Sequence, residues 1–194
     1  MSNESDGNFV TTDGRNIGGV MMEMKNITLR FGGVVALENI SFNILEGEVR
    51  AIIGPNGAGK SSMLNVISGF YVPQEGDVIF QGSPRPSLKP FEVAHQGIAR
   101  TFQNIALFEG MSVLDNVMTG RLTKMKTGIF SQMIWAGKAE REEIENREAV
   151  EKIIDFLEIQ SIRKTPVSRL PYGLKKRVEL ARALAAEPNL LLLD

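Results

Sequence analysis

Residues 54 to 61 read GPNGAGKS, and this glycine-rich stretch decides how the rest of the sequence is interpreted. It matches in full the template GxxxxGK[S/T], a loop whose backbone N–H groups surround phosphates. In a chain of this length and ordinary composition, the template should arise by chance in roughly one case in a hundred. The match therefore predicts a phosphate-binding loop between a strand and a helix.

The segments on either side of the loop have the patterns that this prediction requires. Residues 49 to 53 form a nearly continuous apolar run, which predicts a buried strand. From Lys60 onward, apolar side chains recur at helical spacing, which predicts a helix. Gly57 and Gly59 would let the loop curl so that its N–H groups point inward, and the helix N-terminus would add about half a positive charge. An anion could therefore be bound without a basic excess in the chain.

Composition excludes several other kinds of site. The 194 residues include 22 Lys+Arg and 23 Asp+Glu, a net charge of -1, so the chain lacks the basic excess of a typical nucleic-acid binder. It has no cysteine and one histidine, which excludes thiolate metal sites and disfavours a histidine-based one. Without an apolar run near the ~20 residues that span a bilayer, and without a signal pattern at the N-terminus, we expect membrane contact only through a partner.

The remaining segments differ in their periodicity. Residues 1 to 21 are polar and small, which predicts a mobile N-terminal arm. Alternation with a period near two between Ile27 and Ile44 predicts antiparallel strands, and residues 76 to 82 predict another strand. Residues 113 to 162 have a mostly helical pattern with many charges on a solvated face.

Three further segments follow the loop in order: RTFQN at 100 to 104, LPYGLKKRVELARAL at 170 to 184, and LLLLD at 190 to 194. Together with GPNGAGKS they resemble the Walker A, Q-loop, signature and Walker B elements of ABC-transporter ATPases. The sequences of these segments are most similar to those of the ATP-binding subunits of branched-chain amino acid uptake systems. The loop alone leaves other nucleotide-binding classes open, although the chain lacks the Asn-Lys-x-Asp base reader of guanine-specific GTPases.

The resemblance covers about residues 22 to 194 and implies a fold. That fold is an α/β P-loop NTPase with an N-terminal antiparallel β-subdomain, a RecA-like core sheet and an α-helical insertion at about 105 to 168. Because the chain stops at Asp194, we expect the sheet to be incomplete at its C-terminal end.

The resemblance also implies roles for individual residues. Phe31 would stack on adenine, while Lys60 would reach the β- and γ-phosphates. Ser61 would bind Mg²⁺ directly, Gln103 would contact the region of the metal and the attacking water, and Asp194 would hold the metal through water. The implied catalytic set is thus Lys60, Gln103 and Asp194. The implied nucleotide cradle consists of the consecutive residues Gly54, Pro55, Asn56, Gly57, Ala58, Gly59, Lys60, Ser61 and Ser62.

The signature segment would act in trans, on the nucleotide of a second subunit. Gly173, at the start of a predicted helix, would supply backbone N–H groups to the phosphate. The segment departs from the common LSGGQ pattern at two positions. Pro171 has no hydroxyl to offer, and Leu174 replaces a glutamine with an apolar side chain.

By this resemblance the chain is expected to bind ATP and Mg²⁺, to hydrolyse ATP, and to drive an importer of branched-chain amino acids or related small solutes. Its expected partners are membrane permease subunits, a second ATP-binding subunit in a homo- or heterodimer and, indirectly, a periplasmic or extracellular solute-binding protein. The expected location is the cytoplasmic face of the plasma or inner membrane. The helical segment 113 to 162 and the loop at Gln103 would receive the permease.

Two other functions stay open on the sequence alone. In the family that the chain resembles, a catalytic glutamate and a switch histidine follow the Walker B aspartate, so both would lie beyond Asp194. A general base typically raises the rate of the chemical step 10²- to 10⁴-fold, and that contribution would be missing. The 194 residues are therefore expected to bind Mg-ATP weakly without turnover, as a nucleotide-binding remnant would. The other alternative is a soluble ABC protein outside transport, but such proteins usually carry two cassettes or a long coiled-coil insertion, and neither pattern occurs here.

Overall fold

The computed structural model describes residues 9–10, 16–85, 89–103, 105–124 and 136–194. The chain divides into two compact units, Met1–Pro90 and Phe91–Asp194. The structure has an antiparallel β sheet, a parallel pair of strands and helices, so the predicted α/β class is confirmed. Within the described residues, no helix is both long enough and apolar enough to cross a membrane.

The first unit contains antiparallel strands. They are β1 (Phe9–Val10), β2 (Asn16–Ile17), β3 (Val20–Phe31), β4 (Val34–Leu45), β5 (Glu75–Phe80) and β6 (Ser83–Pro84). The long hairpin of β3 and β4 belongs to a four-stranded sheet of order β4-β3-β5-β6, while β1 and β2 pair with each other.

Alternation along β3 buries one face of this sheet. Met22, Met24, Ile27 and Leu29 are each at most 2% exposed. Each apolar side chain of this kind contributes roughly 1.5–3 kcal/mol when it is fully buried. The prediction of antiparallel strands between Ile27 and Ile44 is confirmed, as is the strand within residues 76 to 82.

Helix α1 (Lys60–Ile67) follows the glycine-rich loop and packs with one face inward. Met63, Val66 and Ile67 are its buried residues, at the three- and four-residue spacing of a helix face. The prediction that a helix begins at Lys60 is therefore confirmed.

The predicted strand at residues 49 to 53 is wrong for this structure. That segment is not part of any strand among the described residues, and Val49 and Ile53 are 79% and 92% exposed. An apolar run becomes a strand only where neighbouring strands take its N–H and C=O groups. The composition of this segment shows that it is apolar, but pairing with a neighbouring strand decides whether it is a strand.

The second unit combines helices with a short parallel strand pair. Its strands are joined in the register Ile98↔Leu190, Ala99↔Leu191 and Arg100↔Leu192. The elements are α2 (Pro90–His95), β7 (Ile98–Arg100), α3 (Val113–Met118), α4 (Ala136–Phe156), α5 (Tyr172–Ala185) and β8 (Leu190–Leu192), with 3-10 turns at Thr119–Thr123, Gln160–Ile162 and Val167–Arg169. Because consecutive parallel strands need a long connection, α3, α4 and α5 occupy the chain between β7 and β8.

Helices α3, α4 and α5 of this unit share one apolar core. Val117 of α3, Val150 and Ile154 of α4, and Val178 and Ala181 of α5 have no measurable exposure. The helical prediction for residues 113 to 162 is confirmed in the described parts, and so is the predicted helix that starts near Gly173. The run LLLLD contains strand β8.

Two predicted boundaries stay predictions. Most of the N-terminal arm, residues 1 to 21, lies outside the described residues, although β1, β2 and the start of β3 fall within it. The insertion at about 105 to 168 also includes residues 125 to 135, which lie outside the described part of the chain.

Candidate nucleotide site

The loop 54 to 61 depends on two glycines in the left-handed region. Gly57 has φ +86° and Gly59 has φ +83°, a conformation that side chains disfavour. A Cβ on Gly59 would lie 2.5 Å from the carbonyl oxygen of Ala36 and 2.8 Å from Leu37 Cδ2, whereas one on Gly57 would meet nothing within 4 Å. Gly59 is thus required by close packing on β4, and Gly57 leaves open space on the loop.

The Lys60 ammonium lies over the beginning of this loop. Its Nζ donates to the carbonyl oxygens of Gly54 and Pro55, each at 2.8 Å. The loop is also closed by a turn in which Ala58 N–H donates to Pro55 O at 3.2 Å. A positive charge is therefore held among the backbone carbonyl groups of the loop.

The N-terminus of α1 is open. Its N-cap is Gly59, and no side chain accepts a hydrogen bond from the first turn. The first helical bond runs from Met63 N–H to Gly59 O at 2.8 Å, so the N–H groups before Met63 have no partner within the helix. Ser61 is exposed and Ser62 is half-buried in the same turn. Donors, dipole and hydroxyl thus converge at the position where a phosphate-binding loop requires them.

Phe31 lies at the end of β3 and is not a core residue. Its side chain is 45% exposed and contacts Tyr71 in a T-shaped arrangement, with ring centroids 5.0 Å apart and planes at 71°. Aromatic pairs favour this geometry. Tyr71 was not predicted from the sequence, since it lies 40 positions away and carries no motif.

Asp194 is held by an arginine that the sequence reasoning missed. The Asp194 Oδ2 atom lies 2.7 Å from Arg100 Nη2, and the two side chains are 19% and 8% exposed. The Asp194 N–H donates to Thr101 Oγ1 at 3.3 Å, and Thr101 N–H donates to Leu192 O at 2.9 Å. Because β7 and β8 run parallel, their C-terminal ends lie side by side, which places the Asp194 carboxylate beside the Arg100 guanidinium.

Gln103 is exposed, and its backbone is bound to helix α5. Lys176 Nζ donates to Phe102 O at 2.8 Å and to Gln103 O at 3.3 Å. Glu179, which is 1% exposed, accepts the Phe102 N–H at 3.0 Å. No sequence pattern predicts these contacts, because a lysine and a glutamate in a charged helix resemble a solvated face.

The signature segment begins α5. Pro171 is the N-cap and provides no side-chain cap, and a Cβ on Gly173 would meet nothing within 4 Å. Leu174 is half-buried and packs against the helical core, which explains an apolar side chain where the common pattern has glutamine. The open helix start leaves Gly173 accessible to an anion from outside the unit.

A cavity of about 300 Å³ brings the Q-loop and the signature segment together within the second unit. Gln103 and Tyr172 both line it, and Lys175 there forms an ion pair with Glu109 at 3.2 Å. The other predicted residues are distributed over both units, with the loop and Phe31 in the first and Asp194 in the second.

The donors predicted for a metal fit magnesium in their chemistry. A serine hydroxyl, a glutamine amide oxygen and an aspartate carboxylate are hard oxygen ligands. Within the described residues, no group of three or more His, Cys, Asp and Glu side chains could hold a metal by itself. Mg²⁺ usually retains several waters and binds through a few protein oxygens plus phosphates, so a sparse set of this kind is suitable.

Comparisons with known proteins agree with the motifs. Residues 37–194 match the family described as ABC transporter. The chain is 31% identical over 174 residues to the high-affinity branched-chain amino acid transport ATP-binding protein LivG of Salmonella typhimurium, covering 90% of this chain and 68% of that protein. It is 35% identical over 176 residues to the probable LivG of Methanocaldococcus jannaschii, covering 90% and 67%.

Solved structures give the same result. A nucleotide-free ATP-binding cassette from an ABC transporter is 34% identical with a TM-score of 0.74, over 90% of this chain and 68% of that one. A dimeric post-hydrolysis cassette bound to ADP and Pi is 30% identical with a TM-score of 0.73, over 90% and 73%. Each shares its fold with this chain.

The packing of the loop leads to a matched comparison of two glycines. Gly57→Ala should be destabilising by about 1–2 kcal/mol, the usual cost of left-handed backbone for a residue with a Cβ. Gly59→Ala should lower the free energy of unfolding by more than Gly57→Ala does, because its Cβ would also collide with Ala36 O. Denaturant unfolding monitored by circular dichroism measures both losses. Equal losses would show that the contact with β4 does not constrain the loop.

Proposed function

The chain belongs to the ABC transporter family, and from that premise we propose that it is the ATP-binding and ATP-hydrolysing subunit of an importer for branched-chain amino acids or related small solutes. The observation that carries the proposal is the loop 54 to 61, with Lys60 folded over it and an open helix N-terminus behind it. The class of solute comes from the names of the relatives.

The loop would bind the phosphates of ATP. The Lys60 ammonium is held by two neutral carbonyl groups, and phosphate oxygens form stronger, charge-assisted bonds. Lys60 would therefore exchange its loop carbonyls for the terminal phosphates. The N–H groups of the loop and of the first turn of α1 would bind the remaining phosphate oxygens.

The adenine would stack on Phe31. The ring is 45% exposed, and its T-shaped contact with Tyr71 fixes its orientation. Base–aromatic stacking is worth about 1–3 kcal/mol and is independent of the phosphates. Phe31 would thus contribute to the affinity for nucleotide and not for inorganic phosphate chains.

Ser61, Gln103 and Asp194 would hold magnesium, the aspartate through water. When bound, Mg²⁺ neutralises charge on the phosphates. Arg100 now balances the Asp194 carboxylate at 2.7 Å, so this ion pair would have to loosen or be shared as the metal site forms. Gly173 would act in trans, on nucleotide held by a second ATP-binding subunit, in a homo- or heterodimer.

The helical part of the second unit would receive the permease at the cytoplasmic face of the membrane. A groove of about 340 Å³ lies between α3 and α4. It combines apolar and charged side chains, as expected for a surface that holds a short amphipathic helix. Its lining residues are Met111, Leu114, Asp115, Met118, Thr119, Leu122, Glu143 and Arg147. A solute-binding protein would act on the far side of the permease, and no nucleic acid would be bound.

Replacing the loop lysine tests nucleotide binding. Lys60→Ala should weaken Mg-ATP binding about 10- to 100-fold, because a hydrogen-bonded charge at the phosphates is lost. It should also abolish any phosphate release. Titration with a fluorescent ATP analogue measures the affinity, and Lys164→Ala, at an exposed lysine in the second unit, is the control. Equal affinity in both variants would defeat the assignment of the loop.

Replacing Phe31 separates base from phosphate recognition. Phe31→Ala should weaken ATP binding by about 1–3 kcal/mol and leave the affinity for tripolyphosphate unchanged, since stacking acts on the base alone. Phe91→Ala removes another exposed aromatic and should change neither ligand. Competition titrations with both ligands measure this. If Phe31→Ala weakened both equally, Phe31 would be a support for the loop.

Engineered cysteines test the permease groove, because the chain has none of its own. A single cysteine at Leu122, which is 65% exposed beside the groove, should crosslink to permease subunits produced with the chain in membranes. A cysteine at Val34, which is 68% exposed in the first unit, is the matched control. Crosslinking from Val34 alone would place the permease contact elsewhere.

A further inference from the structure

Helix α5 binds the backbone of the Q-loop through side chains of one stripe. Lys176, Glu179 and Arg182 follow one another at intervals of three residues. Lys176 donates to the carbonyl oxygens of Phe102 and Gln103, at 2.8 and 3.3 Å, and Arg182 donates to the carbonyl oxygen of Ala106. The bonds therefore lie on both sides of Gln103.

Glu179 is the buried centre of this contact. One carboxylate oxygen accepts the Phe102 N–H at 3.0 Å, and the other lies 3.1 Å from Lys176 Nζ. The side chain is 1% exposed, and a buried carboxylate is costly unless its oxygens are paired. Burial lowers the pKa of Arg182, and the charge of Glu179 opposes that effect. The stripe is thus a satisfied polar network inside the unit.

The same helix carries the signature residue at its start. Gly173 precedes Lys176 by three residues. This is less than one helical turn and corresponds to a rise of about 4.5 Å along the helix. A displacement of the Gln103 backbone would pull on Lys176 and Glu179, which belong to a rigid helix. The side chain of Gln103 is exposed, so the network fixes its backbone and leaves its amide available to a ligand.

We propose that Lys176 and Glu179 are positioning residues that hold the Gln103 backbone against α5 and so fix where its side-chain amide is presented. The inference rests on the proposed function, in which Gln103 acts at the terminal phosphate and metal of a bound nucleotide.

Hydrogen exchange tests the contact directly in the 194-residue chain. Glu179→Ala should speed exchange of the Phe102 amide about tenfold or more, because its acceptor is lost. Lys176→Met changes a half-buried side chain, keeps the Glu179 acceptor and removes the bonds to both carbonyl oxygens. It should speed amide exchange of residues 101 to 107, but by less than Glu179→Ala speeds exchange of Phe102. Lys176→Arg should restore the protection, and Arg177→Met, at the exposed neighbouring residue, should change nothing. Unchanged exchange in Lys176→Met, or faster exchange across the whole chain, would overturn the proposal.

Nucleotide discrimination separates positioning from a purely structural role. If Gln103 senses the third phosphate, Lys176→Met should lower the ratio of ATP to ADP affinity about fivefold and leave ADP affinity unchanged. Displacement of a fluorescent ADP analogue by ATP or ADP gives both values. An unchanged ratio, or an equal loss for both nucleotides, would overturn the positioning role. If neither nucleotide bound the unsubstituted chain, the proposed function would fail, and the exchange measurement would still decide whether the contact holds Gln103.

Discussion

The close approach of Gly59 to the carbonyl oxygen of Ala36 is the constraint on which the first unit's site depends. It leaves no room for a Cβ, and together with φ +83° it requires glycine immediately before the helix. Because that glycine is also the N-cap, the first turn of α1 has no side-chain cap and keeps its N–H groups open. A single packing contact against β4 thus requires glycine at the position where the loop ends and the helix begins.

Local charge placement does what net charge cannot do in this chain. With 22 basic and 23 acidic side chains, no general field attracts a polyanion. Instead the structure places one ammonium against two carbonyl groups of the loop, and an uncapped helix N-terminus follows the loop directly. In the second unit the carboxylate of Asp194 is balanced by Arg100. Charges within hydrogen-bonding distance at partly buried positions are screened far less than surface charges.

Buried polar networks join the helices of the second unit. Arg121 is 8% exposed, donates to Asn146 at 2.8 Å and to Ala185 O at 3.0 Å, and pairs with Glu187 at 2.7 Å. Its contacts connect the turn after α3 with α4 and with the end of α5. Glu179 is a second such centre. Apolar contacts hold these helices together, while the polar networks fix their register, since a shifted helix would leave buried groups unpaired.

The sequence by itself determined the elements whose signals are local. A glycine template, helical spacing after Lys60 and alternation along β3 each depend on neighbours within a few residues, and the structure has all three. Only the tertiary structure decided that residues 49 to 53 are not a strand, that Tyr71 contacts Phe31, that Arg100 pairs with Asp194, and that Glu179 is buried. The contacts among them join residues that are 40 to 94 positions apart in the sequence, and a strand forms only with a partner strand. No periodicity encodes such contacts, because burial and pairing depend on which distant segment packs against a residue.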